Sequence, residues 1–177
     1  MKRTAVLLSL VTGLLLAWAG RFLVPDVHAS YVLPYPSYMP GHPLYRVSRI
    51  VDQTSAWWHW GTIASISYHL GLSDKYLVEA KTLFEYKQYP LALAALDRST
   101  YEFGKLPPRI DQLEGEGKAD TPLVIQVSAA AEAHLSLLQT LRESVPQVYE
   151  WESESHVQTL RISDHIEEAI ETRVWIE

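Results

Sequence analysis

The sequence predicts an all-α protein: antiparallel helical hairpins forming a bundle of four to five helices, preceded by an extended collar rich in proline and tyrosine. Three observations point there. From Ile63 onward apolar residues recur at spacings of three, four and seven, the period of a helix seam. Pro43, Pro90 and Pro122 each stand where such a pattern begins, in the first turn that tolerates a missing N–H. The 177 residues, 47% hydrophobic and 20% charged, suit one globular domain plus a targeting segment.

Residues 1–29 carry the marks of export. Lys2 and Arg3 form a basic start, Ala5 to Ala19 an apolar run, and Val27-His28-Ala29 a small-x-small cleavage signal. Cleavage after Ala29 is expected. Arg21 interrupts the apolarity, although Phe22, Leu23 and Val24 extend it far enough for a tilted, uncleaved anchor over residues 4–24. Both outcomes make the protein extracytoplasmic, secreted or membrane-anchored. Removing residues 1–29 takes three bases and one acid, so 12 basic and 20 acidic residues remain, a net of −8. Nucleic acid and anionic lipid then lack the counter-charge they need, leaving the membrane as a partner only through an uncleaved N-terminal segment.

Residues 30–45 are the collar. Pro34, Pro36, Pro40 and Pro43 fix φ, remove donors and exclude both helix and central strand. Tyr31, Tyr35, Tyr38 and Tyr45 supply rings with which it docks on the body, where a solvated spacer needs none.

The helical domain spans 46–177. Tyr45, Val47, Ile50, Val51 and Trp57 open it on a helical pattern. Trp57-Trp58-His59-Trp60 cannot place all its rings on one face, because neighbours on a helix point about 100° apart. Trp57, Trp58 and Trp60, with Tyr35 and Tyr38, are therefore interaction candidates, or else they cap one end of the bundle. A second helix from Thr62 carries Ile63, Ile66, Leu70, Leu77, Ala80 and Phe84, with Gly71 marking a close contact or kink, or a break capped by Ser73. A turn at Gln88-Tyr89 leads to a third, with Leu93, Leu96 and Phe103 on one side; it resembles one tetratricopeptide-like hairpin without the further copies a solenoid needs. Pro107-Pro108 ends or kinks it, and 114–120 is a flexible polar connection. Thr121 caps a fourth helix with the seam Val124, Val127, Ala131, His134, Leu138, Leu141 and Val145. After Pro146, a last helix is expected from Gln147, with Val148, Trp151, Thr159, Ile162, Ile166 and Ala169 inward and Glu150, Glu152, Glu154, Glu167, Glu168 and Glu171 outward.

No reaction is legible. Cysteine is absent, which removes disulfides, thiolate ligands and thiol nucleophiles. Nucleophile elbow, Walker loop and dinucleotide fingerprint are missing, and the acids sit on an exposed face that gives them no shifted pKa. Seven histidines raise a metal question. Neither Glu-x-x-His nor His-Glu-x-x-His occurs; His165 and Glu168, three apart, and His134 in its seam are weak metal candidates, and His134 reads better as a hydrogen-bonded core residue. No catalytic residue and no cofactor are expected.

Leu33-Pro34-Tyr35-Pro36, then Met39-Pro40-Gly41-His42-Pro43-Leu44-Tyr45, then Arg49 and Asp52, together resemble an uncharacterised exported bacterial domain family. Its pattern runs LPYPG, LPD, SPLYPLK and RD before a helical bundle. The stretch from Tyr89 to Leu96 and the segment from Ala133 to Pro146 are similar to later parts of that family, so the resemblance covers Leu33 to near the C-terminus. Ser37 replaces its glycine, Gly41 its acid, Arg46, Val47 and Ser48 its proline, leucine and lysine, and Ala133 its lysine. The resemblance implies an extracytoplasmic all-helical domain of unknown function. The expected role is a non-enzymatic interaction or structural module of the cell envelope, binding a protein through the Trp57 to Trp60 region or the Tyr76 to Phe103 hairpin. The alternative is a metal- or small-ligand-binding sensor or scavenger using His59, His69, His134 or His165.

Overall fold

In the computed structural model the described residues are 31–35, 38–55, 61–118, 121–153 and 156–174. The expected export segment and Trp57, Trp58, His59 and Trp60 therefore lie outside them. The described elements are α1 (Tyr45–Ser55), α2 (Thr62–Glu85), α3 (Tyr89–Phe103), α4 (Leu106–Gly115), α5 (Thr121–Ser144), β1 (Val148–Ser153), β2 (His156–Arg161) and α6 (Ile162–Val174). The fold is the all-α bundle that the periodicity predicts, with one small hairpin added. No described helix is long and apolar enough to cross a membrane.

Helices α2 to α6 bury the core. Helix α2 runs against α3, α4 and α5, while α6 packs on α3 and α5. It passes Gly71 unbroken, and a methyl group built there meets nothing, so neither a close contact nor a break explains that glycine. Lys87 at φ 58° and its backbone bond to Phe84 O at 2.9 Å turn the chain into α3, which starts at Tyr89 with Pro90 in its first turn. Helix α3 ends at Phe103, shortly before Pro107 and Pro108, with no kink; the two prolines stand in the first turn of α4, whose Leu106, Ile110 and Leu113 are buried.

The largest correction concerns Gln147 onward. Val148 to Arg161 is an antiparallel hairpin, with Val148 opposite Arg161 and Ser153 opposite His156, and the last helix begins only at Ile162. Valine, tyrosine and tryptophan make up half of VYEWES, and HVQTLR carries valine and threonine; these residues fit a pleated ladder better than a helix. The opposed pair Tyr149 and Leu160 packs on the core while Val148 and Val157, on the alternate face, are exposed, which is the period of two expected of a half-buried strand; Trp151 shares the Tyr149 face but lies beyond the core and stays partly exposed. Glu150 and Glu152 thus belong to a strand and not to the acidic face of a helix.

The core falls into two apolar clusters. One holds Leu77, Phe84, Leu93, Leu96, Leu138, Ile162 and Ile166. The other holds Ile66, Leu70, Phe103, Leu106, Leu113 and Val127. Between them on α2 come Ser73 and Asp74, on α3 Ser99, on α5 His134 and on α6 Arg173, all buried. The bundle therefore contains a polar layer about one helical turn thick. Of the collar, Tyr31 packs on the second cluster and Met39 on the first, whereas Tyr35 is 95% exposed.

Helix α1 is attached differently. None of its residues enters either cluster. Tyr45 Oη donates to Glu79 Oε1 at 2.8 Å, Lys75 Nζ donates to Ser48 Oγ at 3.0 Å and pairs with Asp52, and Tyr68 Oη donates to the Asp52 carbonyl. Leu44, Val47, Ile50 and Val51, one or two turns apart, stay 45–60% exposed.

Candidate functional site

Two polar constellations arise from this arrangement. The first is the layer. His134 is wholly buried, and its Nε2 lies 2.8 Å from Asp74 Oδ1. Its Nδ1 receives the Arg173 Nε–H at 3.0 Å, and since an arginine can only donate, that nitrogen is the unprotonated one. The network therefore assigns a neutral imidazole donating from Nε2 to the carboxylate. Arg173 also donates to Ser99 Oγ at 2.8 Å and the Ala169 carbonyl at 2.7 Å, and its guanidinium lies 4.8 Å from the Phe103 ring. Tyr31 Oη donates to the second oxygen of Asp74 at 2.5 Å, which ties the collar to the layer. Ser73 and Ser99 exchange hydroxyl-to-carbonyl bonds at 3.0 and 2.8 Å across α2 and α3.

The electrostatics follow from burial. Desolvation lowers the His134 pKa, the Asp74 hydrogen bond pulls it back up, and Arg173 pushes it down again. Burial brings Arg173 down to about 9, still charged at neutral pH. Tyr31 is pushed far above the ordinary phenol range, first by burial and then by Asp74. A carboxylate and a guanidinium thus neutralise one another through an uncharged ring. The arrangement resembles an acid–base pair in residue types only, because the ring's second nitrogen is occupied by Arg173 and no nucleophile reaches it.

The second constellation is a half-open cleft of about 340 Å³ between α1, α2 and α3. Its walls include Arg49, Tyr68, His69, Tyr76, Arg98 and Glu102. His69 Nδ1 lies 2.6 Å from Glu102 Oε2, and Lys105 Nζ is 2.9 Å from the other oxygen. Burial raises the Glu102 pKa, but the hydrogen bonds from His69 and Lys105 outweigh it and leave the carboxyl below its ordinary range. Tyr76 is pushed up to about 12 by burial and the nearby Asp52 charge, so it stays a neutral phenol. Burial also raises Glu79, against the Tyr45 hydrogen bond and the Arg98 charge.

The expected site residues are scattered. His69 lines the cleft, His134 is in the layer, and His165 pairs with Asp97 at 2.7 Å beside a shallow groove that Glu168 also lines. Among the described residues no group of three or more histidines and acids is placed to hold a metal ion. Tyr38 is 46% exposed and stacks on His42 at 4.8 Å between ring centroids.

Sequence reasoning missed Asp74, Ser99 and Arg173, although a signal existed. Asp74 lies between Leu70 and Leu77, Ser99 between Leu96 and Phe103, His134 between Ala131 and Leu138, and Arg173 four after Ala169: each is a polar residue at a seam position. Arg49, Arg98 and Tyr68 carried no comparable pattern, because their meeting depends on how α1 crosses the hairpin. Compared with known proteins, the chain matches no family model, no curated protein and no solved structure.

Proposed function

We propose that this chain is a non-enzymatic, extracytoplasmic interaction module that docks a protein of the cell envelope on the outer face of α1. One observation carries the reading: α1 spends its polar side on the bundle and leaves Val47, Ile50 and Val51 exposed, with the exposed Leu44 just before it. Six residues after Val51 the sequence reaches Trp57, Trp58 and Trp60, a residue type enriched at binding hot spots. A role without catalysis is supported by the Asp74–His134 pair being sealed in the core, out of reach of a substrate. The resemblance to an exported helical family and the apolar N-terminal run support an extracytoplasmic location.

A sensor built on converging histidines has less support. His69, His134 and His165 each hold a different carboxylate, Glu102, Asp74 and Asp97, and His59 lies outside the described residues. Site-specific photo-crosslinking in the full chain tests the docking face. A crosslinker at Val47 or Val51 should yield the same protein adduct, and one at Glu168 should not. Identical adducts from all three positions, or none from α1, overturn the reading; adducts with lipid alone reassign the face to the membrane surface.

A further inference from the structure

The cleft between α1, α2 and α3 holds an imbalance that the docking reading does not use. Its two carboxylates are already taken: Glu102 is held by His69 and Lys105, and Asp52 by Lys75. Its guanidiniums are not. Among the described residues Arg49 has no carboxylate within ion-pair distance. Arg98 donates once to Tyr45 Oη at 3.1 Å and stands 4.0 Å from Glu79 Oε1, the limit of a salt bridge. An arginine presents five N–H donors in a planar fork, so most of the donors on these two side chains have no acceptor among the described residues. Counting the cleft's own lining, Arg49, Arg98 and Lys105 against Asp52 and Glu102 leave one positive charge, in a chain whose net charge is −6.

The remaining lining is flat and partly apolar. Tyr68, Tyr76, Tyr101 and Leu72 face the same space. Tyr76 is almost fully buried and Tyr68 is tied to the Asp52 carbonyl, so these walls are set before anything enters. A volume near 340 Å³ admits a single-ring molecule and is at the small end of ligand sites. We propose that this cleft binds a small ring-bearing organic oxyanion, its carboxylate or phosphate on the forks of Arg49 and Arg98 and its ring against Tyr68, Tyr76 and Leu72. A guanidinium matches either group with two parallel hydrogen bonds, which a neutral ring cannot accept.

The test is titration of the isotopically labelled full chain with 4-hydroxybenzoate, phenyl phosphate and benzyl alcohol, followed by NMR shifts and calorimetry. One of the two anions should saturate the cleft, perturbing the tyrosines named above, with benzyl alcohol at least ~10-fold weaker. The tighter anion decides between a carboxylate and a phosphate ligand. Arg49→Gln should weaken that anion at least ~10-fold with the fold intact, since among the described residues Arg49 makes no ion pair or hydrogen bond. Arg98→Gln should do the same, and a spectrum matching the wild type confirms that it remains folded. Equal binding of benzyl alcohol, unchanged affinity in folded Arg49→Gln, or no saturation by either anion overturns the proposal.

Discussion

The polar layer and the cleft are built from the same residue types: histidine, carboxylate, arginine and tyrosine. They differ in what is left over. In the layer, Asp74 spends both oxygens, His134 both nitrogens, and Arg173 reaches His134, Ser99 and the Ala169 carbonyl. In the cleft the carboxylates are satisfied and two arginines are not. Burial explains the difference, since an unpaired charge deep in a core costs several kcal/mol while one at an open rim keeps its water. Residue type alone therefore does not mark a functional site; unmatched capacity does.

The sharpest break between the two regions is expected from their arginines. Arg173→Met should cost ~3–5 kcal/mol in urea unfolding, because Asp74 and His134 lose their buried counter-charge and donor together. Arg49→Gln in the cleft should change the same unfolding free energy by less than ~0.5 kcal/mol. Equal losses would mean that the cleft is a structural pair after all.

The layer should also respond to acid where the cleft does not. Burial lowers the His134 pKa beneath its ordinary 6.5, so the unfolded chain binds this proton more readily than the folded one. The resulting stability is fully present above about pH 6.5 and is lost as pH falls through the lowered folded value. Melting temperature should drop over that range in the wild type and much less in His134→Gln. Glu102, held below the ordinary 4.5 of a glutamate, adds its own loss only further down the acid limb. A flat profile above pH 5 would show that the ring is not held neutral.

A smaller effect separates the inward-reaching Tyr31 of the collar from the outward Tyr35. Tyr31→Phe removes a donor to a buried carboxylate and should cost ~1.5–3 kcal/mol. Tyr35→Phe should be neutral within ~0.5 kcal/mol, given how exposed the ring is. The smallest change is expected at Ile50→Ser on α1, again within ~0.5 kcal/mol, although it should abolish partner capture. A loss above that would mean that the α1 row packs on the protein itself.

Much of this fold was legible because long seams declare themselves. Ile66, Leu70, Leu77, Ala80 and Phe84 lie on α2 as their spacing predicts, and Pro90 and Pro122 stand in first turns. The hairpin was illegible for a physical reason. Val148, Trp151, Thr159 and Ile162 fit a helical period by accident, and the two-residue connection at 154–155 is Glu-Ser, without the Asn-Gly or Asp-Gly that announces a tight turn. Helix α4 was hidden by its prolines, which end a helix or begin one according to which side the chain continues. Of the candidate sites, His134 was placed correctly in the core, but its partners come from residues 74 and 173, and pairings that distant leave no local trace.

A core interrupted halfway along by a matched polar layer also constrains alignment. Leucine seams are forgiving: slide one helix by a turn against its neighbours and leucine still meets leucine. Here a slip of one turn would set Asp74 or Arg173 against Phe103, Leu70 or Leu138 and strand both charges in hydrocarbon. Of the several registers that oil alone would permit, the layer makes one far cheaper than the rest, so four helices are held like the teeth of a key cut at a single depth.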